Sequence, residues 1–448
     1  MPYSPYYSGG WQNSPSTSSP IIAAALQNIE NGLKGAYGRM YNPLDPTFGA
    51  VGDGMTDDTA ALQSCMNACG TGGGYFVLPP APGGCYRTSG ITVATGVQGI
   101  VGESLLSRGG ATAYTALTGS VLAPASTASA LLTIGVSGGG SFVSGNPHGL
   151  VVAGIGFLGT NNSGASVTNM WGADIYDTSD VTFFLTRSLF CDSPGFSGYP
   201  PGGAGSGGNI RARSSASGNG FSENVRLLSV AGYGDGRWYL ADGLTTGAGG
   251  TTDGKILSCQ SNGHGRGVEL GPSNAGTGGY DLFESHFSST HATNHVNFGS
   301  AGSPWTFRMI GNYFDVCGDT PIVCNGRGLQ AIGNYFLAPS SGSYTAIINF
   351  GGGLSHTGRD PAAIVMGNTL DLNSEFIGPI QCLAQFLGFT AANMASNGGG
   401  IYSNNFVHNH GNAVPASWVA QFIGSDSAAV ANTTTATLQL DQGATASA

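Results

Sequence analysis

FGAVGDGMTDDTAALQSCMNACGTGGGYFVLPP, Phe48 to Pro80, is the stretch from which the fold can be read. Gly52-Asp53-Gly54 marks a tight turn. Thr56 or Asp57 stands where a helix N-cap belongs. Asp57 and Asp58 fall near a first helical turn, where carboxylates meet unpaired N–H groups and the positive end of the dipole. From Thr59 the apolar Ala61, Leu62, Met66 and Cys69 keep helical spacing. Gly70 to Gly74 closes that helix, and Tyr75-Phe76-Val77-Leu78 reads as a strand stopped by Pro79-Pro80. Clustered carboxylates can also hold a metal, but Asp53, Asp57 and Asp58 do not match a calcium loop. Capping is their expected role, and no metal or cofactor is expected.

Gly52 to Gln63 (GDGMTDDTAALQ), followed by the glycine run and a strand ending in proline, resembles the opening of the pectate-lyase-like β-helix superfamily. Polygalacturonase relatives and many bacteriophage tailspikes share that shape. Gly84-Cys85-Tyr86-Arg87 stands where the family carries a Gly-x-Tyr-Arg segment, so the resemblance covers Phe48 to about Gly90. It implies an all-β chain wound as a right-handed parallel β-helix. It implies little about chemistry, because one fold hosts many functions.

Composition agrees with a solenoid. Charged residues make up 8% of the 448, against about 25% in an ordinary soluble domain. Glycine contributes 77 residues, while hydrophobic residues reach 40% and aromatics 10%, enough apolar material to build a core. Net charge is −10 and the only lysines are Lys34 and Lys255, which excludes the basic footprint of a nucleic-acid partner. No apolar run is long enough for membrane insertion. The polar, aromatic start (Met-Pro-Tyr-Ser-Pro-Tyr-Tyr) does not read as a secretory signal.

Three segments are expected. In residues 1–46, Pro20 to Leu33 reads as one helix with Ile22, Ala25, Leu26, Ile29 and Leu33 on a single face. Such a stripe needs a partner. Three-fold self-association or docking on a larger particle would supply one, and packing on the solenoid end is the plainer reading. Trp11 to Gly32 also resembles a segment near the N-terminus of tail proteins from phages of Gram-positive hosts. Residues 47–411 read as the parallel β-helix, and from about Leu150 a repeat recurs in them: short apolar strands with a small residue or Asn and a glycine-rich turn, as in Gly154–Phe157, Val181–Phe184, Val225–Leu228 and Lys255–Ser258. The clearest copies are Gly311–Phe314, Gly333–Phe336, Gly367–Leu370 and Ser403–Phe406, spaced as solenoid coils are. Asn312, Asn334, Asn368 and Asn404 are placed to form an internal amide ladder. Residues 412–448 lose the repeat and read as a small C-terminal cap or association segment, with a strand-like Thr435 to Leu440.

The eight cysteines form no C-x-x-C pair, which speaks against zinc. Cys65, Cys69 and Cys85 leave room for one disulfide; buried free thiols are the other reading, and the expected one for Cys191, Cys259, Cys317, Cys324 and Cys382.

Polar residues concentrate between Asp235 and Asp319. Glycan hydrolysis needs two carboxylates, and a lyase needs a base plus a cation to hold a uronate. Glu269 and Glu284 form the leading catalytic pair, with Asp235 next; His264, Arg266, His286, Arg237 and Trp238 are candidate substrate-binding residues. If Phe283, Ser285 and Phe287 face inward, Glu284 and His286 face out. Gly263-His264-Gly265 matches a polygalacturonase triplet, but the paired aspartates and the Arg-Ile-Lys of that family are absent, so a turn histidine is the competing reading. Asp174, Asp177 and Asp180 form a second acidic group that also reads as a strand-to-strand turn. The resemblance implies a tailspike-like protein of the virion, a homotrimer that binds a host surface polysaccharide, with or without depolymerising it, and joins tail or baseplate proteins through residues 1–46. The alternatives are an extracellular pectinase-type enzyme and a non-catalytic adhesion fibre.

Overall fold

A computed structural model describes Gly35, residues 38–108 and, from 114 to 440, the strands and most corners between them; every structural statement here concerns those residues. Short strands wind into three sheets, and all pairing within them is parallel. One coil runs through sheet A (Lys255–Leu257), sheet B (Gln260–Asn262) and sheet C (Arg266–Leu270). The next repeats the path with Gly278–Phe283, His286–Ser289 and Asn294–Phe298. This is the expected right-handed parallel β-helix. Ser104–Arg108 and Tyr114–Gly119 interrupt it as an antiparallel pair.

No coil can hide its apolar residues alone, so each stacks on its neighbours at about 4.8 Å to share one core. Phe287, Phe314 and Phe336 show how closely: they occupy one register in three successive coils, with ring centroids 5.4 and 5.0 Å apart.

Helix α1 (Thr59–Gly72) packs on the start of this core through Leu62, Cys65, Met66 and Cys69, and ends at Gly73 in the left-handed conformation. Its N-cap is Asp58, not Thr56 or Asp57, and the Asp58 side chain does not cap. It instead accepts the Val51 and Gly52 N–H groups at 2.7 and 3.0 Å. Asp57 accepts the Thr59 N–H at 3.0 Å, and Asp53 those of Met55 and Thr56 at 2.8 and 2.7 Å. The three aspartates therefore tie down a loop whose turn demands glycine at Gly54, where φ is +76° and a Cβ would press on the Gly83 carbonyl. Arg87 completes the device: its buried guanidinium donates to the carbonyls of Gly54 and Pro124.

Inside the A-to-B corner runs the amide ladder. Asn312, Asn334 and Asn368 pass side-chain hydrogen bonds of 2.9 Å from coil to coil. The last described rung is Asn405, one residue past the expected Asn404, which lies outside the described residues. Below Asn312 the ladder continues in other residue types: Ser285 N–H donates to Asn312, and Cys259 N–H to the Ser285 hydroxyl.

The residue before each rung turns the corner with positive φ: Leu185 (51°), Ser229 (52°), Ser258 (51°), Glu284 (49°), then Gly311, Gly333 and Gly367. Two-residue alternation does not survive such a corner. Phe283 consequently points outward beside Leu257 and Ile310, contrary to the alternation expected from Phe283, Ser285 and Phe287, while Ser285 and Phe287 stay inside. The corner also explains the two flavours of the repeat. Val181–Phe184, Val225–Leu228 and Lys255–Ser258 lie on sheet A, whereas Gly311–Phe314 and its later relatives enter sheet B.

Met40–Tyr41 already pair with Tyr75–Phe76, and Ala420–Ile423 and Leu438–Leu440 add to sheets C and B, so strands reach beyond both expected boundaries, 46 and 411. The Pro20–Leu33 helix lies outside the described residues. Cys65, Cys69, Cys85, Cys259 and Cys324 are buried free thiols; the side chains of Cys191, Cys317 and Cys382 are not described. No described helix is long and apolar enough to cross a membrane.

Candidate functional site

Strand register decides which polar residues meet. On sheet C, Val268 and Leu270 point into the core and Glu269 points out, yet Glu269 is fully buried. Arg237 and Arg266 both donate to its carboxylate, and Asn297 Nδ2 lies 3.3 Å from Oε1. Three coils earlier on the same sheet, Asp174 is held the same way by Arg211 and Arg213, each through two bonds of 2.5–3.0 Å. A carboxylate enclosed between two guanidiniums has its lone pairs and charge already committed. Glu269, Arg237 and Arg266 are thus one structural cluster, in contrast to the separate catalytic and binding parts expected for them.

Trp238 sits in the core, edge-on to Phe287 at 5.9 Å, and offers no face to a ligand outside. His264 is also interior, between Asn209 Nδ2 (3.2 Å) and the Ser261 hydroxyl (3.0 Å). Burial pushes its pKa down to about 3, so it stays neutral. Glu284 is exposed at the A-to-B corner, whereas Glu269 lies within a sheet C strand, so the two do not converge. His286 is half-buried on sheet B, stacked on Tyr313 at 4.7 Å with Nε2 3.9 Å from Asp315. Asp235 lies outside the described residues.

The residues that do share a cleft are others. A groove of about 750 Å³ runs along the C-to-A corner and the edge of sheet A. Three parallel columns line it, each rising one residue per coil. Ser179 and Glu223 share the first with Thr252. Asp180 (59°), Asn224 (54°), Asp253 (57°), Gly279 (71°), Thr306 (54°) and Gly328 (74°) turn the corner in successive coils, all at positive φ. Arg226, Lys255, Asp281, Arg308 and Gln330 are paired neighbours on the sheet itself. Arg308 makes two 2.6 Å bonds to Asp281, which raises its pKa further. Asn224 Nδ2 donates to Asp180 at 2.5 Å, and Arg226 approaches the same carboxylate at 3.3 Å. Beside the charged column runs an apolar one on the same outer face: Phe184, Leu228, Leu257, Phe283, Ile310 and Ile332.

Asp180 reads in the sequence as a turn residue, and Glu223, Asp253, Asp281 and Arg308 are not among the expected site residues. Their sequence separations are irregular, so only the register shows that they stack. The spacing of Asp or Asn before each sheet A strand (Asp180, Asn224, Asp253) was the available signal.

Thr306 is the strained member of the corner column. Asp, Asn and Gly tolerate positive φ, whereas a β-branched residue there is an outlier. Thr306→Asn, which copies Asn224, is expected to raise stability by about 0.5–1 kcal/mol. A melt that shifts upward confirms this; a downward shift means that the threonine's contacts outweigh its backbone cost.

No family model matches the chain. Mannuronan C5-epimerases AlgE1 and AlgE5 of Azotobacter vinelandii are each 52% identical to it over 50 residues, 11% of this chain. The match spans only 3% and 5% of those enzymes. Among solved structures, DFA-IIIase from Arthrobacter chlorophenolicus A6 in complex with GF2 superposes with a TM-score of 0.51 at 12% identity, covering 91% of this chain and 92% of that one. ORF18 of Geobacillus virus E2 gives a TM-score of 0.45 at 15% identity, covering 86% of this chain and 68% of that one. The likeness to DFA-IIIase is one of fold alone.

Proposed function

We propose that this chain is a tailspike-like recognition protein that binds a host cell-surface polysaccharide along the sheet A groove. The observation that carries the reading is the groove itself: hydrogen-bonding carboxylates, Lys255 and Arg308 stacked coil by coil beside an apolar column. A pyranose presents hydroxyl edges and an apolar face, and this surface complements both. A repeating polymer also suits a site built by a repeating coil. The resemblance of Phe48–Gly90 and of Trp11–Gly32 to phage proteins supports a place on the virion, a homotrimeric state and attachment to tail or baseplate proteins through residues 1–46.

An array of bacterial capsular and wall polysaccharides, probed with the parent and with Asp253→Asn, tests this. Binding by the parent and loss of about tenfold or more in the variant, with unchanged melting, is the expected result. Failure of the parent to bind any polysaccharide would end the proposal. The same incubations report cleavage through new reducing ends or unsaturated uronates. Light scattering at micromolar concentration should give a trimer; a stable monomer would remove that part of the reading.

A further inference from the structure

The charge arrangement of the groove selects among glycans. Four carboxylates line it, Asp180, Glu223, Asp253 and Asp281, against two cations, Lys255 and Arg308. Arg308 is already committed to Asp281 through both guanidinium bonds, and nearby Arg226 to Asp180 and Asn224. Lys255 lies in register between Arg226 and Asp281 on the exposed face, and its ammonium, unlike a guanidinium, offers no two-bond fork to a carboxylate. Among the described residues, Glu223 and Asp253 have no cation in ion-pair range. They are close to each other, because Glu223 pairs with Thr252, the residue before Asp253.

Resting on the glycan-binding reading above, we infer that the groove takes an uncharged, hydroxyl-rich glycan and excludes polyuronates. A uronate carboxylate laid along the columns would find no free guanidinium to hold it bidentately, and would approach Glu223 and Asp253 as a like charge. A neutral sugar meets the opposite situation. Its hydroxyls donate to those two carboxylates, which are acceptors only when ionised. Its apolar face can lie on Leu257 and Phe283, both on the outer face one column away. The net charge of −10 adds repulsion of any polyanion at long range.

Binding of the full chain to neutral polysaccharides (dextran, chitin oligomers, mannan) and to polyuronates (alginate, polygalacturonate) should be measured at low and high salt. Neutral polymers should bind at least about tenfold tighter, with little salt dependence, since no ion pair forms. Glu223→Gln with Asp253→Asn should weaken neutral binding and bring polyuronate binding up, while the melting temperature holds. Equal or tighter binding of polyuronates by the parent overturns the inference and leaves the glycan-binding reading intact. Absence of binding to both classes and to the bacterial array overturns both.

Discussion

Asn334→Ala is expected to lower stability by about 3–5 kcal/mol, more than any surface substitution in this chain. The Asn334 amide donates to the Met309 carbonyl (3.0 Å) and to Asn368 Oδ1 (2.9 Å). Its own Oδ1 accepts from both the backbone N–H (3.0 Å) and the side chain (2.9 Å) of Asn312. Truncation removes all four bonds and leaves two Asn312 donors and the Met309 carbonyl buried beside an apolar core. Each stranded group costs about 1–3 kcal/mol. Coupling along the ladder spreads the damage, because every rung orients the next. Denaturant unfolding should show either a shifted midpoint or a new early transition, as adjacent coils uncouple. A change below about 1 kcal/mol would mean that the ladder is geometric consequence and not support.

The second large effect concerns Glu269. Glu269→Gln keeps the shape but leaves Arg237 and Arg266 sharing a neutral partner. Breaking a buried pair costs about 3–5 kcal/mol; these arginines keep some solvent contact, at 11% and 24% exposure, so about 2–4 kcal/mol is expected. Replacing the cluster with apolar residues of similar size should recover much of that loss, since the burial of charge itself is costly. Thermal melts of the single and combined variants check both points. If Glu269→Gln instead melts like the parent and abolishes turnover of a bound glycan, Glu269 acts on the ligand and the catalytic pairing with Glu284 must be reopened.

Much of the architecture is written locally. Gly52-Asp53-Gly54 fixes a turn that only glycine can make, α1 follows from its apolar spacing, and the recurring Asn before an aromatic strand announces a ladder from coil to coil. Those features rest on short local motifs, which are legible in order along the chain wherever they recur. What lay beyond such reading depends on register. Phe283 faces solvent because Glu284 turns a left-handed corner, a fact no alternation rule contains. Glu269, prominent in the polar zone of a charge-poor chain, is enclosed because Arg237 lies one coil below it and Arg266 three residues before it. Asp180, Glu223, Asp253, Asp281 and Arg308 look unrelated in sequence because the coils between them differ in length. Stacking at about 4.8 Å makes them neighbours whatever the length of the loops in between. Pairing of backbone N–H and C=O groups, which is blind to side-chain identity, is therefore what assembles the groove.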